Sequence, residues 1–432
     1  MHSSDEQVTS IRINPKKNFE FRSLPAGRQG SNFEMSRVPW SEWGYYLSQR
    51  PSFTFDPLFH AGCYYVQEAS SMFLEQALRQ TVDLSKTVKV LDLAAAPGGK
   101  TTHIQSLISE DSLLVSNEVI KSRANILKDN VVKWGADNVI ITNNDPKDFA
   151  RLESYFDVIV VDAPCSGSGL FRRDENAIYE WSSSHVQLCS QRQQRILADV
   201  WPALKEDGIL IYSTCSYSKE EDEEILEWMR SQFRIKSCEL RVDESWNIIE
   251  SSGGYRFWPD KVKGEGFFIA CCRKLDEGNA FDQKKKNKLE LLDKSEMKIV
   301  ENWVMENNYH FFKFRNEVHA ISDNLLKELD SLLAHLRINY SGIAIGELMR
   351  EKLIPDHALA MSHLLSGQIE KVELNYNDAI GYLKKQELKN ITIKSKGWKL
   401  GAYKSYPLGW INVLASRINN YYPKELRILR DI

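Results

Sequence analysis

Two cysteines stand just beyond the ends of two predicted strands. Cys165 follows a strongly β-branched run at residues 157–161, and Cys215 follows an apolar run at residues 209–213. A buried cysteine is ordinarily inert packing, but two thiols at adjacent strand ends, above one crevice, indicate nucleophilic chemistry. A thiolate that adds to carbon 6 of a pyrimidine converts the ring into an enamine, and carbon 5 of that enamine can attack a methyl donor.

The residues around these cysteines leave the choice of nucleophile open. Asp162 lies where an acid near the ring nitrogen would stabilise the negative charge that develops as the thiolate adds. Amino-group methyltransferases usually have Asp/Asn-Pro-Pro-aromatic at this place, whereas this chain has Asp-Ala-Pro-Cys. DNA carbon-5 methyltransferases use the cysteine after proline, which would select Cys165. For Cys215, we expect Ser218 to cap the following helix, whose dipole would favour a thiolate nearby.

A glycine-rich turn joins a strand to a helix within residues 88–102, VKVLDLAAAPGGKTT. A phosphate-binding P-loop requires G-x-x-x-x-G-K-[ST]; Gly99 and Lys100 fit that pattern, but its first glycine is Ala94 here. A second interpretation is the first loop of a methyltransferase sheet, in which Gly98 and Gly99 let the main chain approach the methionine part of S-adenosylmethionine. A third is a connection without a ligand.

Two acidic residues close the next two predicted strands. Glu118 lies 19 residues beyond Gly99, the spacing at which an acid can accept both ribose hydroxyls, although an acid at this place is as often a helix cap. Asp145 could reach the exocyclic amine of an adenine or could be a solvated turn residue. Because neither an arginine for a 2′-phosphate nor a Walker B pattern is apparent, the set favours S-adenosylmethionine over NADP or ATP.

The elements that must position these residues alternate between strand and helix, which predicts a doubly wound parallel sheet. The predicted strands are 112–116, 138–142, 157–161, 209–213 and 267–272, and the predicted helices are 67–80, 121–134 and 184–204. We place this catalytic domain at residues 61–275. Residues 1–60 form an aromatic-rich N-terminal region, 276–290 a polar linker, and 291–432 a C-terminal α+β unit.

Composition excludes several classes of protein. The 432 residues are 42% hydrophobic and 27% charged with a net charge of −3, as in globular proteins. Residues 384–432 hold eleven Lys/Arg against three acids, interleaved with aromatics, which suits a polyanion. No apolar run approaches a membrane span and the start lacks a signal-peptide pattern, so we expect a cytoplasmic protein. Seven cysteines without C-x-x-C spacing argue against a disulfide framework and a metal site.

Four segments resemble, in order and spacing, the signature motifs of the Nop/Sun family of RNA cytosine carbon-5 methyltransferases: LDLAAAPGGKTT, DAPCSGSGLFRR, YSTCS and RFWPDKVKGEGFF. YPLGWINV and NNYYPKELR resemble the PUA-type module that ends bacterial members acting on 16S ribosomal RNA. The resemblance implies an α/β, Rossmann-like, S-adenosylmethionine-dependent methyltransferase with a small N-terminal RNA-binding region and a C-terminal α+β PUA-like domain. The helical segment that usually precedes Arg12 in this family is nearly absent, so we expect a shortened N-terminal region.

The same resemblance implies a role for each matched position. Cys215 is the nucleophile, Cys165 assists release of the product, and Asp162 stabilises the activated ring. The cofactor contacts fall on Ala94, Ala95, Ala96, Pro97, Gly98, Gly99, Lys100, Glu118, Asp145 and Asp162.

The function expected on this basis is methylation of carbon 5 of a cytosine in 16S ribosomal RNA, through a covalent Cys215 adduct, by a monomer. Transfer RNA is the alternative substrate within the same chemistry. A P-loop nucleotide hydrolase and a non-catalytic ribosome-assembly factor are the alternatives from other classes.

Overall fold

The computed structural model describes residues 8–17, 34–172, 175–279, 281, 289–305, 308–388, 391, 393 and 395–430. The shortening predicted before Arg12 falls mainly on residues 1–7, outside this range, and most of the predicted linker 276–290 lies outside it as well. Within the described residues, no helix combines the length and the apolar character that crossing a bilayer requires.

The chain begins with a small antiparallel sheet in the order β2-β3-β1-β4. Its elements are β1 (Thr9–Ile13), β2 (Met35–Arg37), β3 (Gly44–Leu47), α1 (Pro57–His60) and β4 (Tyr64–Val66). Among the aromatic residues of this region, Trp40 packs against the central domain. Its ring is buried with its centroid 5.6 Å from that of Phe257.

The central domain alternates between strands and helices, as predicted. Its first half comprises α2 (Leu74–Thr81), β5 (Lys89–Asp92), α3 (Gly99–Leu107), β6 (Leu113–Asn117), α4 (Lys121–Trp134), β7 (Val139–Thr142) and β8 (Phe156–Asp162). Its second half comprises α5 (Glu175–Glu180), α6 (Ser183–Val200), β9 (Leu204–Thr214), α7 (Glu223–Gln232), β10 (Ile235–Ser237), β11 (Ile249–Ser251), β12 (Gly254–Phe257) and β13 (Phe267–Lys274).

These strands form one sheet in the order β11-β12-β13-β9-β8-β5-β6-β7, with β10 paired to β13. The run from β9 to β7 is parallel, and β13 pairs with β9 antiparallel. Its inner strands are buried, as expected for a parallel sheet covered on both faces. The carboxyl ends of β5, β6, β7, β8 and β9 therefore meet at one edge, where a doubly wound sheet binds its ligand.

Two predicted helices show how far the sequence pattern locates helix ends. Helix α4 begins and ends where predicted. It ends there because Gly135, the next residue, adopts a left-handed φ of 85°. Helix α6 ends at Val200 rather than at residue 204. Pro202, which lacks an N–H group, lies in the next turn and cannot continue the helix.

The predicted α+β unit 291–432 contains two separate sheets, in the orders β14-β15-β16-β18-β19 and β20-β21-β22-β23. The strands and helices are β14 (Glu290–Leu291), α8 (Lys294–Val300), β15 (Tyr309–Phe314), β16 (Glu317–Ser322), α9 (Leu326–His335), β17 (Ile338–Ser341), β18 (Ile343–Met349), β19 (Lys352–Pro355), α10 (His357–Met361), β20 (Lys371–Glu373), α11 (Tyr376–Leu383), β21 (Gly397–Tyr403), β22 (Tyr406–Val413) and β23 (Ile418–Asn420). Strand β17 leaves both sheets and pairs antiparallel with β7, so it extends the catalytic sheet.

Candidate active site

The buried side chain of Asn117, at the end of β6, forms hydrogen bonds with residues at the ends of β5 and β7. Its Nδ2 donates to the carbonyl oxygen of Leu93, just beyond β5, at 3.1 Å and to that of Asn144 at 3.0 Å. Its Oδ1 accepts from the hydroxyl of Thr142, at the end of β7, at 2.9 Å. This amide therefore holds the edge at which the predicted cofactor residues lie.

The glycine-rich loop turns sharply into α3. Gly98 has a φ of 115°, a conformation that strongly favours glycine, and α3 begins at Gly99. The fully buried Arg12, from the N-terminal sheet, reaches this helix start. Its Nη2 donates to the carbonyl of Gly99 at 3.3 Å and to the hydroxyl of Thr102 at 2.6 Å. The N-terminal region thus supports the loop at residues 94–100.

Glu118 lies directly beside that loop. Its Oε1 accepts from the N–H of Ile120 at 3.0 Å, and its Oε2 lies 3.6 Å from Nη1 of Arg123. The same guanidinium donates from Nη2 to the carbonyl of Ala96 at 2.8 Å. Arg123 therefore joins the Glu118 carboxylate to the loop, so that two parts of the predicted cofactor site, residues 94–100 and Glu118, lie side by side.

Asp145 follows β7 at the same edge of the sheet. It is the N-cap of a 3-10 helix, Pro146–Arg151, and its carboxylate accepts from the N–H of Lys147 at 3.3 Å. Asp145 is therefore a turn residue, which is one of the two roles that the sequence left open for it. Contact with an adenine amine stays a prediction.

An ion pair connects the glycine-rich loop to the strand that carries Asp162. Lys100 Nζ lies 2.7 Å from Oδ2 of Asp162, which also accepts from the hydroxyl of Ser213 at 2.9 Å through Oδ1. Asp92, at the end of β5, is fully buried and accepts from the hydroxyl of Thr101 at 2.6 Å. Burial raises the pKa of Asp92 to about 7, and the nearby charges of Asp162 and Glu118 act in the same direction.

The two cysteines meet at the other side of Asp162. Strands β8 and β9 place Asp162 opposite Ser213, and the chain then carries Cys165 and Cys215 so close that their sulfur atoms lie 2.9 Å apart. Both are free thiols and half-buried. The hydrogen bond to Cys215, burial and the neighbouring charge of Glu221 raise the pKa of the Cys165 thiol well above its ordinary value.

The loops that carry the two cysteines are packed main chain against main chain. Gly169 donates its N–H to the carbonyl of Cys215 at 2.8 Å. A side chain at Gly169 would meet that carbonyl oxygen at 2.7 Å, so only glycine fits without a shift. Ser168 is buried, and its hydroxyl accepts from the N–H of Tyr217 at 2.8 Å. The two loops therefore pack as one unit.

The prediction that Ser218 caps the helix after Cys215 is wrong. The chain first forms a 3-10 turn, Lys219–Glu221, and α7 starts only at Glu223. The Ser218 side chain makes no capping bond, and its N–H donates to the hydroxyl of Ser216 at 3.0 Å. A run of three acids at 221–223 stands at this helix start instead.

Four residues that organise the site were not predicted from the sequence, namely Arg12, Asp92, Asn117 and Glu221. Asp92 and Asn117 each end an apolar strand, and this position was a usable signal. Glu221 stands in an acidic run, KEEDEE, which is typical of a solvated helix face. No spacing in the sequence distinguishes it from its neighbours, since two of its partners, Ser166 and Gln193, lie far from it along the chain.

Comparisons with known proteins agree with this geometry. The family model described as 16S rRNA methyltransferase RsmB/F matches residues 79–273. The N-terminal domain of 16S rRNA methyltransferase RsmF matches residues 1–69, and the RsmF PUA domain matches residues 369–428. The first two matches cover the small N-terminal sheet and the catalytic sheet, and the third covers the last sheet of the chain.

Whole-chain relatives extend the match. Ribosomal RNA small subunit methyltransferase F of Shewanella woodyi is 30% identical over 98% of this chain and 91% of its own. The protein of the same name from Psychromonas ingrahamii is 29% identical over 98% and 90%. A solved methyltransferase homologue from Pyrococcus horikoshii is 30% identical with a TM-score of 0.51, covering 63% of this chain and 88% of its own. The chain therefore belongs to the RsmB/F family of 16S rRNA methyltransferases, with the N-terminal and PUA domains of its RsmF branch.

Proposed function

We propose that this protein transfers the methyl group of S-adenosylmethionine to carbon 5 of a cytosine in 16S ribosomal RNA. The observation that carries the proposal is the pair of thiols, with sulfur atoms 2.9 Å apart, at the ends of β8 and β9. Lys100 and Asp162 link this pair to the glycine-rich loop. A methyl donor bound at the loop and a pyrimidine bound at the thiols would therefore be neighbours.

The charges at the loop fit S-adenosylmethionine better than a nucleoside triphosphate. Asp162 and Glu118 both act electrostatically on Asp92, and among the described residues Oδ1 of Asp92 is buried without a hydrogen-bond partner. Glu118 lies beside Arg123, and Asp162 pairs with Lys100. Ionised Asp92 would therefore supply the negative charge that stabilises the sulfonium and ammonium groups of the cofactor and repels phosphates. Lys100, which a P-loop enzyme would place on phosphates, is paired with Asp162 instead. This arrangement argues against the nucleotide hydrolase.

The residues at 94–100 would hold the methionine part of the cofactor, and Glu118 would accept its ribose hydroxyls. Asp145 would receive the adenine amine. When bound, the cofactor supplies an electrophilic methyl group. The other reacting groups are side chains of this protein and the target cytosine.

The reaction proceeds through a covalent adduct. The Cys215 sulfur forms a bond to carbon 6, and Asp162, acting as an acid towards the ring nitrogen, stabilises the negative charge that reaches the ring. Carbon 5 then accepts the methyl group, which leaves S-adenosylhomocysteine as the second product. A general base removes the proton from carbon 5, and the bond from carbon 6 to sulfur breaks. The electron pair of that bond returns to the Cys215 sulfur as the carbon 5–carbon 6 double bond re-forms, and Cys165 assists this release.

In this proposal the last sheet of the chain contacts RNA together with the catalytic domain. The last sheet carries exposed basic side chains, including Lys396, Arg417 and Lys424, and an exposed ring at Tyr421. Such a mixture suits phosphates and unstacked bases. The target base must leave its stack to reach Cys215. A cytoplasmic location and a monomeric state remain predictions.

The test is methylation by the purified protein of 16S ribosomal RNA, small ribosomal subunits and transfer RNA, each with isotope-labelled S-adenosylmethionine. We expect 5-methylcytosine at one position in 16S ribosomal RNA, mapped by mass spectrometry of nuclease fragments. Label in transfer RNA alone would select the alternative substrate. RNA binding without label would support the assembly factor, and label on an amino group would exclude the thiol chemistry.

A further inference from the structure

The side chain of Glu221 is fully buried between the two cysteine loops. Its Oε1 accepts from the N–H of Ser166 at 2.8 Å and from Nε2 of Gln193 at 3.2 Å. Its Oε2 accepts from the hydroxyls of Ser166 at 2.5 Å and Ser216 at 2.6 Å. All four donors are neutral, and among the described residues no ion pair includes this carboxylate.

The neighbouring acids show what a structural carboxylate looks like in the same segment. Asp222 and Glu223 both pair with Arg256, at 3.0 Å for Asp222. A buried carboxylate without a cation is costly, so its retention at a reacting site points to a use for its charge. The charge of Glu221 is therefore the feature that packing does not explain.

The two serines that Glu221 binds are the residues directly after the two thiols. Ser166 follows Cys165 and Ser216 follows Cys215. One carboxylate thus binds both cysteine loops at once, through the N–H and hydroxyl of Ser166 and through the hydroxyl of Ser216. Its negative charge also opposes ionisation of Cys165.

Other titratable groups face this region from each packed element. Cys215 and Tyr212 approach Cys165 from β9 and its end, and both act on it or are acted on by it. Cys189 of α6 lies further off, with Arg192 beside it, and it senses Glu221 and Cys215. Among these groups Glu221 supplies the negative charge that is not matched by a cation.

We propose that Glu221 is a positioning residue that aligns the two thiols and keeps the proton on Cys165, so that Cys215 is the thiol that attacks the base. This inference rests on the proposed function. At release, the bond between carbon 6 and the Cys215 sulfur breaks and its electron pair goes to that sulfur. The protonated Cys165 thiol, 2.9 Å away, then donates a hydrogen bond to it. No oxidant or reductant takes part.

The experiment isolates Cys165 in a Cys215→Ala background. Its alkylation by iodoacetamide is followed against pH by mass spectrometry of the peptide that contains it. Adding Glu221→Gln, which keeps the size and removes the charge, should lower the midpoint by about one pH unit or more. Glu223→Gln is the matched control, because it removes a buried charge two residues away that faces Arg256, and its midpoint should stay at the reference value. An unchanged midpoint in the folded Glu221→Gln variant overturns the proposal.

A second variant decides the matter if Glu221→Gln does not fold, as judged by binding of S-adenosylmethionine and circular dichroism. Glu221→Asp keeps the charge but is too short to reach both Ser166 and Ser216. The Cys165 midpoint should then stay near the reference value, while kcat of the protein with both thiols falls about tenfold or more. A shifted midpoint, or an unchanged kcat, contradicts the proposal.

Alkylation needs no RNA, so the two proposals fail separately. A shifted midpoint, found for a protein whose wild type does not methylate RNA, would remove the proposed function and leave the charge effect of Glu221 standing. An unshifted midpoint, found for a protein whose wild type methylates cytosine, would do the reverse.

Discussion

The crevice at the sheet edge has two halves that hold their carboxylates differently. In the cofactor half, made of residues 94–100 and Glu118, the carboxylate is satisfied by a main-chain N–H and an arginine from the adjoining helix. In the cysteine half, made of Cys165, Cys215 and Glu221, the carboxylate of Glu221 is buried among neutral donors. The first arrangement is suited to binding a ligand without reacting. The second maintains a difference between two otherwise similar thiols.

The largest expected effect is on the cysteine half. Cys215→Ala should lower kcat about 10⁴-fold or more, because the substituted side chain cannot form the adduct. Binding of S-adenosylmethionine, measured by calorimetry, should stay within about twofold of the wild type, because the cofactor half is untouched. A variant that still methylates cytosine would move the nucleophile to Cys165 and erase the distinction between the thiols.

Cys165→Ala should block the second stage instead of the first. The adduct between Cys215 and the base should accumulate and survive a denaturing gel, while turnover falls about 10³-fold. The double variant, which also lacks Cys215, is the control and should form no adduct. Equal adduct in single and double variants would show that the cross-link does not pass through Cys215.

Asp162 lies at the boundary between the halves, so its substitution tests whether they act separately. Asp162→Asn should lower kcat about 10²-fold, because an amide is far too weak an acid to replace the carboxyl group at the ring nitrogen, and cofactor affinity should change much less. Asp157→Asn is the matched control. It removes a carboxylate from the other end of β8, where the partner is Lys205, and should leave kcat close to wild type. A larger loss of cofactor affinity than of kcat would place Asp162 in the cofactor half.

The two halves also differ in how far the sequence predicts them. The cofactor half is a strand, a turn and a helix in one short stretch, so the glycines at 98 and 99 and the spacing to Glu118 suffice to locate it. The identity of the two thiols was likewise predictable from strand ends. Their alignment was not, because Glu221 acts on Ser166, 55 residues earlier in the chain. No local pattern encodes such a contact.

In the rest of the fold, too, features encoded by local sequence patterns were predictable, and features that depend on contacts between distant residues were not. The parallel sheet follows from alternating apolar strands, each of which is a local signal. The pairing of β17 with β7 joins residues almost two hundred positions apart, and it divides the predicted C-terminal unit between two sheets and the catalytic sheet. The misplaced cap at Ser218 is a different case, since short-range hydrogen bonds of Ser216 with Glu221 and with the N–H of Ser218 form there in place of the cap.

A pH series tests the buried carboxyl group of Asp92, at the end of β5 beside the cofactor half. The pKa of Asp92 is raised from 3.8 to about 7 by burial, so the folded state binds a proton that the unfolded state has lost. Its contribution to stability is present at low pH and is lost as the pH rises through about 7. The free energy of unfolding of the wild type, relative to Asp92→Asn, should therefore fall by about 2 kcal/mol between pH 5 and pH 7.

Urea unfolding of both proteins at pH 5, 6 and 7 measures that difference. Asp83→Asn is the control, because Asp83 is exposed and its pKa is lowered by hydrogen bonds with Ser85 and Lys86. It is ionised throughout this range in both folded and unfolded states, so its difference from wild type should not change with pH. A flat difference for Asp92→Asn would mean that its carboxylate is ionised in the folded protein, as those of an open ligand site are.

The smallest effect is expected from the last sheet, which lies outside both halves. Lys396 and Arg417 are exposed there. Replacing both with Ala should weaken binding of 16S ribosomal RNA about threefold to tenfold and reduce the slope of log affinity against log salt by about 0.7 for each phosphate that is no longer neutralised. The KM for RNA should rise while kcat stays near wild type, because the thiols and the cofactor loop are unchanged. Lys86→Ala, an exposed lysine before β5, is the control and should not alter the slope. A fall in kcat with an unchanged salt slope would show that this sheet acts on the catalytic halves rather than on the RNA backbone.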